Sequence, residues 1–164
     1  LPSHPTARAE EPIPTIYARA ILFDLDGVLV DSRLAVEAVW RKWAAPRGLD
    51  PEPFIRIAPG RRTSETLRLV APQLDAAREV AVLDAMEEAE THGLTAVAGA
   101  VDLLEALGPE QWAIVTSGSP AVASLRLAAG GLSQPRVFVT GDRVRRGKPD
   151  PEGYRLAARL LGLP

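Results

Sequence analysis

Phe23-Asp24-Leu25-Asp26-Gly27-Val28-Leu29-Val30-Asp31-Ser32 is the stretch on which the fold turns. It continues the apolar run Ala20-Ile21-Leu22, which reads as a strand ending in two carboxylates two positions apart. In a strand, residues i and i+2 share a face, so Asp24 and Asp26 can aim into one site where the strand gives way to a loop. Gly27 marks the turn. Two acids so placed suggest a nucleophile and a proton carrier working on one substrate. An isolated D-x-D occurs in ordinary loops, whereas this one has an apolar approach and a glycine exit.

Two further apolar runs, Trp112 to Thr116 and Arg136 to Thr140, also read as strands. None of the three alternates cleanly, which points to strands covered on both faces, as in a parallel sheet flanked by helices. A helix is expected between the second and third runs, with Pro120 in its first turn and Gly130-Gly131 at its stop. Another is expected from Asp150-Pro151 to Leu161, ending at Gly162. Strand, helix, strand, helix is the pattern of an α/β domain. The segment from Ser32 to Ala98 breaks it: no convincing strand is visible, and helices are expected over Leu34 to Pro46, Thr63 to Ala71 and Asp75 to His92. Val80, Leu83 and Met86 give the last of these an apolar stripe. A helical insert placed there would sit over the carboxyl end of the first strand, where open α/β sheets bind ligands, and would serve as a lid. The expected division is a flexible tail over 1–18, an α/β core over 19–32 and 99–164, and a helical cap over 33–98.

Composition narrows the function classes. The chain has 164 residues, 46% of them hydrophobic and 24% charged, with a net charge of −2 and no cysteine. That suits a cytoplasmic globular enzyme, without a disulfide framework, a thiolate metal site or a cysteine nucleophile. The small net charge gives no strong pull toward nucleic acid or an anionic membrane. The opening LPSHPTARAEEPIP is proline-rich and lacks the apolar core of a secretory signal.

Thr116-Ser117-Gly118-Ser119 ends the second strand and leads into a helix. A hydroxyl and exposed backbone N–H groups at a helix N-terminus suit a phosphate-like anion, so Thr116, Ser117 and Gly118 are candidate ligands. Ser119, ahead of Pro120, has the competing reading of a helix cap. After the third strand comes Gly147-Lys148-Pro149-Asp150-Pro151-Glu152. Proline after Lys148 disfavours helical backbone there and leaves the lysine on an extended loop at the same sheet edge. Its rival readings are a solvated lysine or, with Arg143, Arg145 and Arg146, a basic patch. No aromatics are interleaved for base stacking. Two acids, a hydroxyl and a lysine from three strand ends provide what phosphoryl transfer requires. A magnesium ion would complete the set by standing between carboxylate and phosphate.

FDLDGVLVDS, TSGS and GKPDPE resemble, in order and spacing, the first three motifs of the haloacid dehalogenase superfamily. The likeness runs from Ala20 to Pro164. It implies a Rossmann-like three-layer parallel sheet with an inserted α-helical cap. By resemblance Asp24 is the nucleophile that becomes an aspartyl-phosphate, and Asp26 protonates the leaving alcohol and then activates water. Thr116 binds the phosphoryl group, and Lys148 stabilises Asp24 and the transferring phosphate. Magnesium is held by the Asp24 carboxylate and the Asp26 main-chain carbonyl. The second acid favours phosphate chemistry over dehalogenation, whose leaving halide needs no proton. Gly60-Arg61-Arg62-Thr63, Leu69-Val70-Ala71-Pro72 and EQWAIVTSG are similar to the glycerol-phosphate and deoxysugar-phosphate phosphatase branch. In that branch Arg62 and Thr63 would face the substrate, and the competing reading of Arg62 is a salt bridge. Pro59 and Ala98 depart from the branch, which commonly has histidine and proline there.

The superfamily's fourth motif, an acidic pair supplying a further magnesium ligand, would follow Leu163-Pro164, so the resemblance implies a chain cut short and an exposed edge on the first strand. The expected activity is that of a magnesium-dependent phosphatase for a small sugar or polyol phosphate, with a small phosphorylated metabolite as partner and neither nucleic acid nor membrane. The alternatives are a sugar phosphomutase or an inactive remnant that only binds phosphate. His92 reads as a helix-end charge, Glu87, Glu88 and Glu90 as a solvated helix face, and Trp40, Trp43 and Trp112 as packing residues.

Overall fold

A computed structural model describes residue 15 and residues 17–164. The tail expected over 1–18 therefore lies almost entirely outside the described residues. Three strands form a parallel sheet in the order β1–β4–β5: β1 (Ile21–Phe23), β4 (Trp112–Val115) and β5 (Phe138–Val139). Phe23 stands opposite Ile114, and Val115 opposite Val139, so the strands reach their carboxyl ends together. All four residues of β4 are buried. Trp112 and Ile114 enter one apolar cluster while Ala113 and Val115 enter another, the two-residue alternation of a strand covered on both sides. Helices α5 (Ala100–Glu105) and α6 (Pro120–Ala129) supply Leu104, Ala123 and Leu127 to the first cluster. Helix α7 (Glu152–Leu160) supplies Ala157 to the second. The three-layer α/β core is as expected, with β1 at the edge of the sheet among the described residues.

The insert contains α1 (Arg33–Ala44), α2 (Glu52–Ile57), α3 (Thr63–Val70) and α4 (Ala76–Ala89). It has its own core, where Trp40 stacks on Phe54 and Trp43 meets both edge-on. The packing role read for Trp40 and Trp43 holds, and Trp43 is also hydrogen-bonded, its Nε1 donating to Glu79 at 2.8 Å. Asp75 caps α4 by accepting from the backbone N–H groups of Ala77 and Arg78. The helix ends at Ala89, which leaves His92 exposed in the turn beyond it.

Two expectations are corrected. Strand structure does exist within the expected cap boundaries: β3 (Thr95–Ala96) pairs antiparallel with β2 (Val30–Asp31), joining the two crossings between core and insert. A two-residue strand is too short to carry a pattern, and its partner is far away in sequence. Helix α2 was also unforeseen; it is six residues long with prolines at its start.

Candidate active site

Asp24 lies just past β1, where its Oδ1 accepts from the Leu25 backbone N–H at 2.8 Å. The same oxygen meets Lys148 Nζ at 2.7 Å. Lys148 also donates to the Val115 carbonyl at 2.8 Å, so one ammonium fastens the end of β4 to the carboxylate at the end of β1. Charge-assisted bonds of this length are strong and directional. Oδ2 of Asp24 takes no hydrogen bond among the described residues, which leaves it for an incoming ligand. The lysine loop is shaped by its own motif: the Glu152 carboxylate accepts from the backbone N–H groups of Arg145 and Arg146, each at 3.0 Å. Those two bonds, Arg145's first, hold the Glu152 carboxyl below its ordinary range.

Asp26 follows in a compact turn, closed by Gly27 N–H donating to the Val30 carbonyl at 2.8 Å. Gly27 has φ +75°, a conformation most side chains resist. Ser32 stands at the cap position of α1 and yet makes no cap bond. Its hydroxyl donates instead to Asp26 Oδ1 at 2.7 Å. Arg126 Nη1, from α6, donates to the same oxygen at 2.8 Å, and Arg126 Nη2 donates to Glu87 Oε2 of α4, also at 2.8 Å. Arg126 is thus a core residue that grips the proton-carrier candidate on one side and the insert on the other.

The expectation that Glu87 belongs to a solvated face is corrected. Burial pushes its carboxyl above the ordinary range; Arg126 pulls it back, while Asp26 and Asp84 add to the upward push. Sequence reading missed both partners. The available signal was an arginine inside the apolar helix Pro120–Ala129, where an unpaired charge cannot stay.

Thr116 is buried at the end of β4, and its Oγ1 accepts from the Gly118 backbone N–H at 3.1 Å. Ser119 caps α6, with Oγ accepting from Val122 N–H at 3.4 Å, so the plain reading of that serine holds. Ser117 Oγ donates to the Gly60 carbonyl of the insert at 2.8 Å. Arg62 reaches the opposite way: it pairs with Glu65 and donates to the carbonyls of Val144 at 3.2 Å and Arg145 at 3.0 Å. In this arrangement the Arg62 guanidinium ties insert to core, with its donors spent on protein oxygens. Thr63 lines the cleft beside Asp26, Gly118 and Arg126. Asp24, Lys148 and the Thr116–Gly118 loop therefore converge on the sheet edge, while Arg62 and Thr63 stand on the insert above it.

Gly141 is essential to this closeness for steric reasons. Its N–H donates to the Gly118 carbonyl at 3.0 Å, and a Cβ there would fall 2.4 Å from the Ser117 carbonyl oxygen. Gly141→Ala is expected to cost about 1–3 kcal/mol in urea denaturation, because only backbone can move to relieve the contact. An unchanged midpoint would mean the two loops are not fixed together.

Among the described residues, no group of three or more His, Cys, Asp or Glu side chains stands where it could hold a metal ion. Of the two donors that the resemblance implies, the Asp24 carboxylate keeps Oδ2 free of hydrogen bonds among the described residues, and the Asp26 carboxylate is engaged through Oδ1. Magnesium commonly uses one or two carboxylates with phosphate oxygens and retained waters, and a set this sparse fits that habit. No helix among the described residues is long and apolar enough to cross a membrane.

A family model described as haloacid dehalogenase-like hydrolase matches residues 18–164. Hexitol phosphatase A of Escherichia coli is 47% identical over 150 residues, covering 88% of this chain and 69% of that protein. The 2-deoxyglucose-6-phosphate phosphatase 1 of Saccharomyces cerevisiae is 40% identical over 156 residues, covering 85% and 63%. Glycerol-1-phosphate phosphohydrolase 2 of the same yeast is 34% identical over 156 residues, covering 92% and 62%. The chain thus spans a little under two thirds of the two yeast relatives' length. A solved hydrolase from Pseudomonas syringae superposes with a TM-score of 0.77 at 33% identity, covering 88% of this chain and 70% of that one. With its strand-end aspartates, bridging lysine and helical insert, the chain belongs to the haloacid dehalogenase-like hydrolases.

Proposed function

We propose that this chain carries the phosphate-handling chemistry of a magnesium-dependent phosphatase for a small sugar or polyol phosphate, working through an aspartyl-phosphate. The observation that carries the reading is the Lys148 bridge, which fixes Asp24 by one oxygen and leaves the other open. Oδ2 attacks phosphorus, an Asp24 O–P bond forms, and the bond to the leaving alcohol oxygen breaks. Asp26 gives that oxygen its proton. Water then attacks the phosphorus as Asp26 takes a proton back; the Asp24 O–P bond breaks and inorganic phosphate leaves. Ser32 and Arg126 both hold Oδ1 of Asp26, which leaves Oδ2 as the oxygen for proton transfer.

Lys148 and the backbone N–H groups after Thr116 supply positive potential for the equatorial oxygens. Magnesium, held by the Asp24 carboxylate and the Asp26 carbonyl, would neutralise further charge between carboxylate and phosphate. Ser117, Gly118, Arg62 and Thr63 line the approach to the phosphoryl group. Three phosphatase relatives that act on hexitol, deoxyglucose and glycerol phosphates support the substrate class. The test is release of inorganic phosphate from glycerol 3-phosphate and sorbitol 6-phosphate by the purified protein. Turnover with magnesium that stops on chelation is expected. No release from either compound with magnesium present overturns the reading for this chain.

A further inference from the structure

A cleft of about 80 Å³ opens between insert and core, lined among others by Asp26, Trp40, Thr66, Glu87, Gly118 and Arg126. Three polar groups in it are unusual for their burial. Arg126 is only 6% exposed, and Glu87 is largely covered. Thr66 is 0% exposed, and its hydroxyl is the buried side-chain polar atom that finds no partner among the described residues. An unmade buried hydrogen bond costs roughly 1–3 kcal/mol, so a hydroxyl left this way asks for a partner that arrives later. Glu87 meets Arg126 through Oε2, and its Oε1 accepts no hydrogen bond among the described residues. The cleft thus offers a carboxylate oxygen without a partner and a covered hydroxyl without one, the latter able both to donate and to accept. Trp40 and Val36 add apolar surface suited to C–H groups.

We infer that Glu87, Thr66 and Arg126 form a hydroxyl-reading subsite for the leaving alcohol, which makes the substrate a phosphate of a polyhydroxylated alcohol. The inference rests on the phosphatase reading for the position of the phosphate. Glu87 Oε1 accepts from one substrate hydroxyl, the Thr66 hydroxyl bonds another, and Arg126 holds Glu87 in place while keeping Asp26 beside the bridging oxygen.

The test compares glycerol 3-phosphate with n-propyl phosphate, which has the same carbon count without the hydroxyls. Binding is measured by titration calorimetry with magnesium chloride, using the full chain carrying Asp24→Asn so that neither ligand is consumed. Glycerol 3-phosphate should bind at least about tenfold tighter, the effect of two hydrogen bonds of ordinary worth. Added Thr66→Val, which keeps the shape, and Glu87→Gln should each cut that ratio by about threefold or more, and Thr66→Ser should restore it. Equal affinities, binding of neither ligand, or a ratio unmoved by both substitutions overturns the inference. A preserved ratio in a protein whose unsubstituted form releases no phosphate leaves the subsite standing and removes the phosphatase reading instead.

Discussion

Asp24→Asn should lower phosphate release by a factor on the order of 10⁴–10⁶, the range seen when a catalytic nucleophile is removed. Asparagine keeps the shape and an oxygen for the Leu25 N–H, which Asp24 holds at 2.8 Å. It cannot open a covalent path, because the amide lacks the nucleophilic lone-pair charge of the carboxylate. Lys148 retains the Val115 carbonyl as a partner, so the fold should lose no more than about 1–3 kcal/mol, the worth of a hydrogen bond to a charged group. Phosphate release and urea denaturation on the same preparation separate the two effects. Turnover within tenfold of the parent would remove Asp24 from the nucleophile's role.

The largest expected effect on stability belongs to Arg126→Ala. Arg126 bonds Asp26 at 2.8 Å and Glu87 at 2.8 Å, so its removal leaves two carboxylates facing each other across a covered interface. Breaking a fully buried pair from one side typically costs about 3–5 kcal/mol; here Glu87 is the covered charge left without its partner, while Asp26 is 28% exposed and keeps the Ser32 bond, so about 2–4 kcal/mol is expected. Arg126→Ala combined with Glu87→Gln should recover part of that loss, because one of the stranded charges is then gone. Urea denaturation reads both numbers. A single-variant loss under about 1 kcal/mol would show that water reaches the two carboxylates freely.

These two residues also mark what could and could not be read from the sequence. The strand-end placement of Asp24 was legible because carboxylate, turn and strand are contiguous, and that of Lys148 because Pro149 constrains the backbone beside it. The sheet was legible from apolar runs, even though β5 keeps only Phe138–Val139 of its expected length. The pairing of Arg126 with Glu87 was not, because Arg126 stands out only as a charge within an apolar helix and nothing in the sequence names Glu87, 39 positions away, as its partner. Arg62 shows a different limit. Its place in Gly60-Arg61-Arg62-Thr63 suggested a substrate contact, yet its observed acceptors include backbone carbonyls of Val144 and Arg145, which no side-chain pattern announces. The β2–β3 pairing was hidden for the same reason as Arg126, being non-local and only two residues long.

That pairing makes the insert an exchangeable part. Val30 faces Ala96 and Asp31 faces Thr95, so the chain leaves the core and returns to it across two paired rungs, Asp31–Thr95 being the outer one. A two-residue Asn-Gly turn spanning that rung would close β2 and β3 into an ordinary hairpin. The sheet order β1–β4–β5 does not pass through the insert and would be untouched. An insert of another size could join at the same place, provided it replaces the partners that Glu87 and Gly60 give to Arg126 and Ser117.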